Sequence, residues 1–175
     1  SAGLCGFWPQ AKLASSGTPD MGGGQSMPRQ HLFSFHSSLQ GKRATQEDRH
    51  VCTHSMTDQR RPDVALFAIF DGHNGDDCAD FCSKKISHLL ASKMPATGSV
   101  VQCSAVPLDA HKRFVRRVLT PAGITEAFTE LDDEYLAVCQ PPPNDSGCTA
   151  VVAAFNTVSQ VLTVGNAGDA RCVLS

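Results

Sequence analysis

The hydrophobic pattern of this chain predicts strands near both ends and helices between them. Residues 64–70, VALFAIF, are continuously apolar, which is typical of a strand buried on both faces. Residues 50–56 fit a shorter strand. Three further strand-like runs cover residues 148–155, 160–164 and 170–174. Because segments of hairpin length separate these last runs, we expect antiparallel pairing.

Helical periodicity marks the middle of the chain. Residues 76–94 carry apolar side chains three and four residues apart, with lysines on the opposite face. Residues 124–138 carry a similar stripe and stop before three consecutive prolines. A less regular helix is predicted over residues 108–119, broken at Pro121. This order favours an α+β fold in which helices pack on one face of an antiparallel sheet.

The two ends of the chain differ from this middle part. Residues 1–30 are rich in Gly, Ser and Pro, so we expect a flexible lead followed by a folded domain over residues 31–175. The strand pattern over residues 170–174 runs almost to the last residue and would leave an unpaired edge. We therefore expect the domain to be incomplete at its carboxyl end.

Composition narrows the class of protein. The 175 residues include 15 Lys+Arg and 17 Asp+Glu, a net charge of −2 that excludes a nucleic-acid binder held by bulk charge. No apolar run approaches the roughly 18 residues needed to cross a bilayer, so no integral membrane segment is expected. Residues 21–26, MGGGQS, match a myristoylation pattern that would attach the chain weakly to membranes if Met21 were the true start. A glycine linker explains the same residues.

The eight cysteines are scattered, and no secretory segment precedes them. We interpret them as reduced thiols, several of which fall at core-like positions where free cysteine behaves as a small hydrophobic side chain. No pair has the C-x-x-C spacing of a structural zinc site, so the metal-ligand alternative is less favoured. This interpretation places the protein in the cytoplasm, with nuclear or membrane-associated locations as alternatives.

Charged residues gather in two short segments that could hold a metal ion and a phosphate. Asp71 and Gly72 follow the predicted buried strand, where a carboxylate and a backbone carbonyl suit Mg²⁺ or Mn²⁺. Arg43 offers a forked donor for a phosphate, and His73 can exchange a proton near neutral pH. Each feature alone has an ordinary explanation as a turn or a solvated charged run. Only their combination and order point to a site.

Four blocks follow one another along the chain: residues 41–49 (GKRATQEDR), 67–75 (FAIFDGHNG), 146–150 (SGCTA) and 164–171 (VGNAGDAR). In this order they resemble the metal-dependent protein serine/threonine phosphatases of the protein phosphatase 2C family. The helix over residues 124–132 is similar to the family segment that precedes the third block.

The resemblance covers about residues 30–175 and implies the amino-terminal portion of the catalytic domain. The implied fold is a sandwich of two antiparallel β-sheets flanked by antiparallel helices, a four-layer α-β-β-α arrangement present here only to about half. The implied activity is hydrolysis of phosphoserine and phosphothreonine in proteins by a metal-activated water. Two Mg²⁺ or Mn²⁺ ions, and in some members a third, are the implied cofactors, and phosphoproteins are the implied partners.

The resemblance also implies a role for each residue of the site. Asp71 is similar to the aspartate that bridges two metal ions, with the Gly72 carbonyl on one of them. Glu47 and Asp48 resemble the acidic pair that orders water at the metals. Arg43 resembles the phosphate-binding arginine. His73 resembles the proposed general acid that protonates the leaving oxygen, and Asp169 resembles a ligand of the third metal.

Several departures and alternatives accompany this interpretation. Asn74 stands where the family usually has glycine, and asparagine tolerates unusual backbone angles. The family's further metal-binding aspartates are not found after Asp169, which favours the alternative of a truncated, non-catalytic binding or regulatory module. A small-molecule phosphohydrolase on the same site is a third possibility.

Ser146 lacks the strand-to-helix elbow of a serine nucleophile, so we expect the residues around it to begin a core strand.

Overall fold

An antiparallel sheet lies at the centre of the fold. The computed structural model describes residues 32–56, 64–94, 119–139, 145–157 and 160–175. In chain order the elements are β1 (Arg49–Thr53), β2 (Val64–Phe70), β3 (Gly72–His73), α1 (Asp77–Ser92), α2 (Pro121–Val138), β4 (Gly147–Cys148), β5 (Ala150–Asn156) and β6 (Val161–Ala167). The sheet order among the described strands is β1-β2-β5-β6, and β3 and β4 form a separate two-residue ladder.

Every neighbouring pair in the four-stranded sheet is antiparallel, as the hairpin-length connections predicted. One row across the sheet joins Val51 to Ala68, Ala68 to Val152, and Val152 to Gly165. The shared row matters because alternate residues of a strand point to opposite faces. Residues in this row therefore face the same side of the sheet.

That side of the sheet carries the hydrophobic core. Leu66 and Phe70 on β2 are fully buried, as are Ile86 and Leu90 on α1. These side chains belong to one cluster that also includes Leu131 of α2. The helices thus cover one face of an antiparallel sheet, which confirms the predicted α+β class. A sandwich would add a full second sheet; the described residues supply one four-stranded sheet, the short β3–β4 pair and one layer of helices.

A side-chain cap and a proline explain where α2 begins. Thr120 caps α2, its side chain accepting a hydrogen bond from the Gly123 amide at 3.1 Å. Pro121 occupies the first turn, where its missing amide proton leaves no hydrogen bond unmade. The sequence stripe predicted a start near Ile124, so the helix begins one turn earlier. Ion pairs Lys85–Glu134 and Lys93–Glu130 show that α1 and α2 run antiparallel.

Two strand predictions were wrong in detail. The run over residues 148–155 is divided at Thr149, because β4 pairs with β3 while β5 pairs with β2. The strand predicted over residues 170–174 does not form. Gly168, at φ +89°, turns the chain after β6, and the following residues find no partner strand in the described parts of the chain. Val173 is 81% exposed there, so an apolar pattern without a partner gives no strand.

Other predictions concern residues outside the described ranges. They are the flexible lead over residues 1–30, the myristoylation pattern at Met21, and almost all of the helix over residues 108–119. Within the described residues, neither helix has the length and apolar character required to span a membrane.

Candidate functional site

The candidate site is built on the loop that follows β2. The Asp71 carbonyl accepts a hydrogen bond from the Thr149 amide at 2.9 Å, which ties the end of β2 to the start of β5. Asn74 at φ +58° and Gly75 at φ +118° then turn the chain into α1. Consecutive left-handed residues make a tight turn, which places Asp71 and His73 at the edge of the fold.

Residues 45–48 lie directly against this loop. The Glu47 carboxylate accepts hydrogen bonds from the Gly75 amide at 3.1 Å and from the Thr45 hydroxyl at 3.3 Å. At Gly72, a Cβ atom would lie 2.3 Å from the Glu47 carbonyl oxygen, so only glycine allows the two backbones to pass this closely. The acidic pair and the Asp-Gly turn, 24 residues apart in sequence, therefore form one unit.

The side chains of Asp48 and Asp71 meet in this unit. Burial raises the pKa of Asp48, and the negative charge of Asp71 and a hydrogen bond between the two carboxyls raise it further. Two carboxylates in contact repel each other unless a proton or a cation lies between them. Oxygen ligands of this kind are those that Mg²⁺ and Mn²⁺ prefer, so the residues present fit a divalent cation.

Arg49 fixes the backbone of the acidic pair. Its guanidinium donates to the Gln46 and Asp48 carbonyls, both at 3.0 Å. It also pairs with Asp76 at the start of α1, and its Nε lies 3.6 Å from an Asp80 carboxylate oxygen. Sequence reasoning gave Arg49 no separate role; the acidic start of α1 was the signal that could have identified its partner. Asp76 serves as that partner.

Two further predicted site residues, Arg43 and Asp169, lie at the surface. Arg43 follows a turn closed by its backbone amide to the Gln40 carbonyl at 3.4 Å, and its guanidinium forms no ion pair with the described residues. Its side chain is exposed. Asp169 is exposed directly after Gly168, whose Cα packs against Thr149. Within the described residues, the structure joins Asp48 to Asp71 and leaves Arg43 and Asp169 separate from that pair.

His73 sits on β3 with its ring across Gly147 of β4. A Cβ atom at Gly147 would lie 2.5 Å from His73 Nε2, so the glycine makes room for the imidazole. Gly168 similarly has no space for a side chain against Thr149. Gly147 therefore serves close packing against the imidazole, and Gly168 serves a turn and a close approach to Thr149.

Ser146 is buried and takes part in packing. Its Oγ lies 2.6 Å from the Tyr135 hydroxyl and accepts a hydrogen bond from the Cys78 amide at 3.2 Å. A serine held between a helix tyrosine and a helix amide has a structural role. The expectation that this segment begins a core strand and supplies no nucleophile agrees with these contacts.

The cysteines include a feature that sequence spacing missed. Cys78 and Cys82 are buried in the core and unpaired by disulfides, as predicted for core-filling thiols. Together with Cys148 they form the only group of three His, Cys, Asp or Glu ligand atoms within 4.8 Å of one another in the described part of the chain. Cys82 is one turn from Cys78, and Cys148 arrives only through the tertiary fold.

Comparison with known proteins agrees with the sequence motifs. Residues 34–175 match the family model described as "Protein phosphatase 2C". The chain is 33% identical over 144 residues to probable protein phosphatase 2C 11 of Arabidopsis thaliana, covering 82% of this chain and 32% of that protein. It is 29% identical over 151 residues to the human integrin-linked kinase-associated serine/threonine phosphatase 2C, covering 82% and 34%.

A search of solved structures finds a C. elegans sex determining protein with a TM-score of 0.48 and 20% identity. That match covers 73% of this chain and 28% of the other. The chain thus spans about a third or less of the length of the proteins named here.

Proposed function

The chain belongs to the protein phosphatase 2C family, and from this premise we propose that it contributes the metal-binding part of a protein serine/threonine phosphatase. The substrates would be phosphoserine and phosphothreonine side chains in proteins. The observation that carries the proposal is the close approach of the Glu47 backbone to Gly72, which sets the acidic pair Glu47 and Asp48 against the Asp71–Gly72 turn. Such a pair has a clear chemical use in binding cations.

Members of this family are metal-dependent, and this chain's residues offer suitable ligands. We propose that Asp71 and the Gly72 carbonyl bind two Mg²⁺ or Mn²⁺ ions, with Glu47 and Asp48 beside them. Asp169 would serve a third ion. Bound ions of this kind supply Lewis acidity, which lowers the pKa of water and offsets the charge of a phosphate.

The other residues of the site have separate tasks. Arg43 is exposed and precedes Glu47 by four residues. Its guanidinium would bind the phosphate through two parallel hydrogen bonds. His73 follows Asp71 by two residues and is exposed, so its imidazole can donate a proton to the leaving serine or threonine oxygen. Both tasks fit direct attack of water on phosphorus, without a covalent enzyme–phosphate intermediate.

The direct test is phosphate release from a phosphothreonine peptide in the presence of Mn²⁺ or EDTA. It would be run with the 175-residue chain and with a longer polypeptide that contains it, if the reading frame encodes one. We expect Mn²⁺-dependent release that Asp71→Asn abolishes, because the change removes a ligand charge. Asp133→Asn, an exposed carboxylate change on α2, is the matched control and should leave turnover intact.

The other outcomes separate the alternatives. Retained activity in Asp71→Asn would contradict the assignment of the site. Hydrolysis of small phosphate esters without hydrolysis of phosphopeptides would indicate a small-molecule phosphohydrolase. Binding of phosphopeptide without turnover, in both polypeptides, would favour a binding module.

A further inference from the structure

Three cysteine thiols lie together between α1 and β4. The Sγ atoms of Cys78 and Cys148 are 3.5 Å apart, and those of Cys148 and Cys82 are 3.8 Å apart. All three sulfurs lie within 4.8 Å of one another. Cys78 and Cys82 are buried in the core, while Cys148 is partly exposed and gives the group a side that solvent can reach.

The spacing of the three sulfurs matches that of a metal-thiolate site. A zinc–sulfur bond of roughly 2.3 Å places two sulfurs of a tetrahedral site about 3.8 Å apart, and those of a trigonal site about 4.0 Å apart. The observed distances of 3.5 and 3.8 Å therefore need little adjustment. A disulfide would need the sulfurs to approach to about 2.05 Å and would leave the third thiol unused.

We propose that Cys78, Cys82 and Cys148 form a binding site for one thiophilic metal ion, of the class of Zn²⁺, with a fourth position open on the partly exposed side of Cys148. Thiolate ligands select such ions over Mg²⁺ and Mn²⁺, which prefer oxygen. The site is therefore chemically distinct from the carboxylates of Asp48 and Asp71 and does not depend on the proposed phosphatase function.

The surroundings of the cluster favour an ionised sulfur. Hydrogen bonding within the thiol group, first with Cys148 and then with Cys82, lowers the pKa of Cys78, against the effect of burial. The Cys148 backbone amide adds another hydrogen bond to the same sulfur, and the nearby His73 lowers the pKa further. Binding of a divalent ion forms three metal–sulfur bonds and releases to solvent the protons of the thiols that become ligands.

A metal at this position would link α1 to the β3–β4 ladder, whose strand β3 consists of Gly72 and His73. Cys78 and Cys82 lie on the first two turns of α1, and Cys148 pairs with Gly72 across the β3–β4 ladder. Three metal–sulfur bonds would therefore fasten α1 to the strands that carry Gly72 and His73. We expect the bound ion to stabilise this end of the fold, since it binds the folded chain and finds no assembled site in the unfolded one.

The test uses Cd²⁺ as a spectroscopic probe on the reduced 175-residue chain, prepared in metal-free buffer with a phosphine reductant. Ultraviolet absorption from cadmium–thiolate charge transfer should saturate at one equivalent, and Zn²⁺ should displace the Cd²⁺. Cys148→Ser should weaken Cd²⁺ binding by at least about tenfold, and the Cys78→Ser, Cys82→Ser, Cys148→Ser triple variant should lose the signal. Cys172→Ser, a change at an exposed cysteine, is the matched control.

A measurement on the wild-type chain guards against misfolding of the variants. Alkylation mapped by mass spectrometry should show Cd²⁺ protecting Cys78, Cys82 and Cys148, with Cys52 and Cys172 still reactive. Asp71→Asn should keep the cadmium–thiolate signal, which separates this proposal from that of the carboxylate site. Absence of the signal in the wild-type chain, or its persistence in the triple variant, would overturn the proposal and leave the three cysteines as core packing.

Discussion

At the scale of single residues, the turn after β2 depends on side chains that tolerate a left-handed backbone. Asn74 adopts φ +58°, in the region where asparagine is several times more common than most other residues. Asparagine is expected from the sequence to replace the family's glycine there with little harm, and the backbone angle agrees with that expectation. Gly72, two residues earlier, is restricted differently, by the 2.3 Å approach that a Cβ would make to the Glu47 carbonyl oxygen.

The first residue-scale prediction concerns the proton on Asp48. Burial and the charge of Asp71 raise the pKa of Asp48 in the folded chain. The protonated form therefore stabilises the fold below the ordinary pKa of 3.8, and this contribution is lost as the pH rises through the raised pKa. We expect Asp48→Asn to raise the Tm of the chain in EDTA at pH 7, with the gain shrinking below about pH 4.

Metal should reverse this order of stability. Mn²⁺ is expected to raise the Tm of the wild-type chain more than that of Asp48→Asn, because the amide removes one anionic oxygen donor. Thermal melts in EDTA and in Mn²⁺ measure both effects, with Asp133→Asn as the control for an exposed carboxylate. A variant that gains as much from Mn²⁺ as the wild-type chain would show that Asp48 does not serve the ion.

The second residue-scale prediction concerns Arg43. Its removal should weaken phosphopeptide binding and leave the metal-holding carboxylates in place, so KM should rise while Mn²⁺ binding is unchanged. A hydrogen bond to a charged group contributes about 1.5–3 kcal/mol, which corresponds to a loss of roughly ten- to a hundredfold in kcat/KM for Arg43→Ala. Lys42→Ala, at the adjacent exposed cation, is the matched control. An unchanged KM would count against a phosphate-binding role.

At the scale of elements, a glycine allows α2 to lie close to the sheet. A Cβ at Gly165 of β6 would lie 2.3 Å from Cγ2 of Ile124, which is buried in the first turns of α2. The Thr163 hydroxyl of β6 also donates to the Leu119 carbonyl at 2.9 Å, just before the helix. The start of α2 is therefore positioned by β6, through contacts between residues 41 and 44 positions apart in sequence.

We expect Gly165→Ala to destabilise the fold through this contact. The added methyl group forces Ile124 or the helix to move, at a cost of about 1–3 kcal/mol. Ile124→Ala alone should cost about 2–5 kcal/mol by leaving a cavity. Because Ile124→Ala removes the clashing Cγ2, the double variant should lose less stability than the sum of the single changes. Urea unfolding of the four proteins measures the coupling, and strict additivity would contradict the proposed contact.

At the scale of the whole molecule, one core joins both helices to the sheet. Phe70 and Leu66 of β2, Ile86 and Leu90 of α1, and Val152 of β5 are all essentially buried. Leu131 and Tyr135 of α2 extend the same cluster. The site therefore lies on the end of a strand, β2, that is packed along its whole length, which keeps Asp71 in a defined position.

The core predicts a clear contrast between two leucines. Leu90→Ala should lower the free energy of unfolding by about 2–5 kcal/mol, since Leu90 is fully buried and its removal leaves a cavity. Leu136→Ala, at a helix position that is 63% exposed, should change it by less than about 0.5 kcal/mol. Urea unfolding followed by circular dichroism compares the two. Equal losses would show that α1 is not anchored by this face.

Much of this fold was predictable because local patterns carried it. The apolar run of β2 and the helical stripes of α1 and α2 reflect burial that recurs with a fixed period in sequence. The prediction failed where pairing decides the outcome. Residues 170–174 have the composition of a strand and find no partner among the described strands, whereas Thr149 divides one predicted strand between two ladders.

The family, the α+β class and the residue types at the candidate site follow from motif order and periodicity, which are properties of the linear chain. Which of those residues meet follows from the fold. Folding brings together Asp48 and Asp71, Arg49 and Asp76, and Cys78 and Cys148. These pairs are 23, 27 and 70 residues apart in sequence, where linear spacing carries no information about distance.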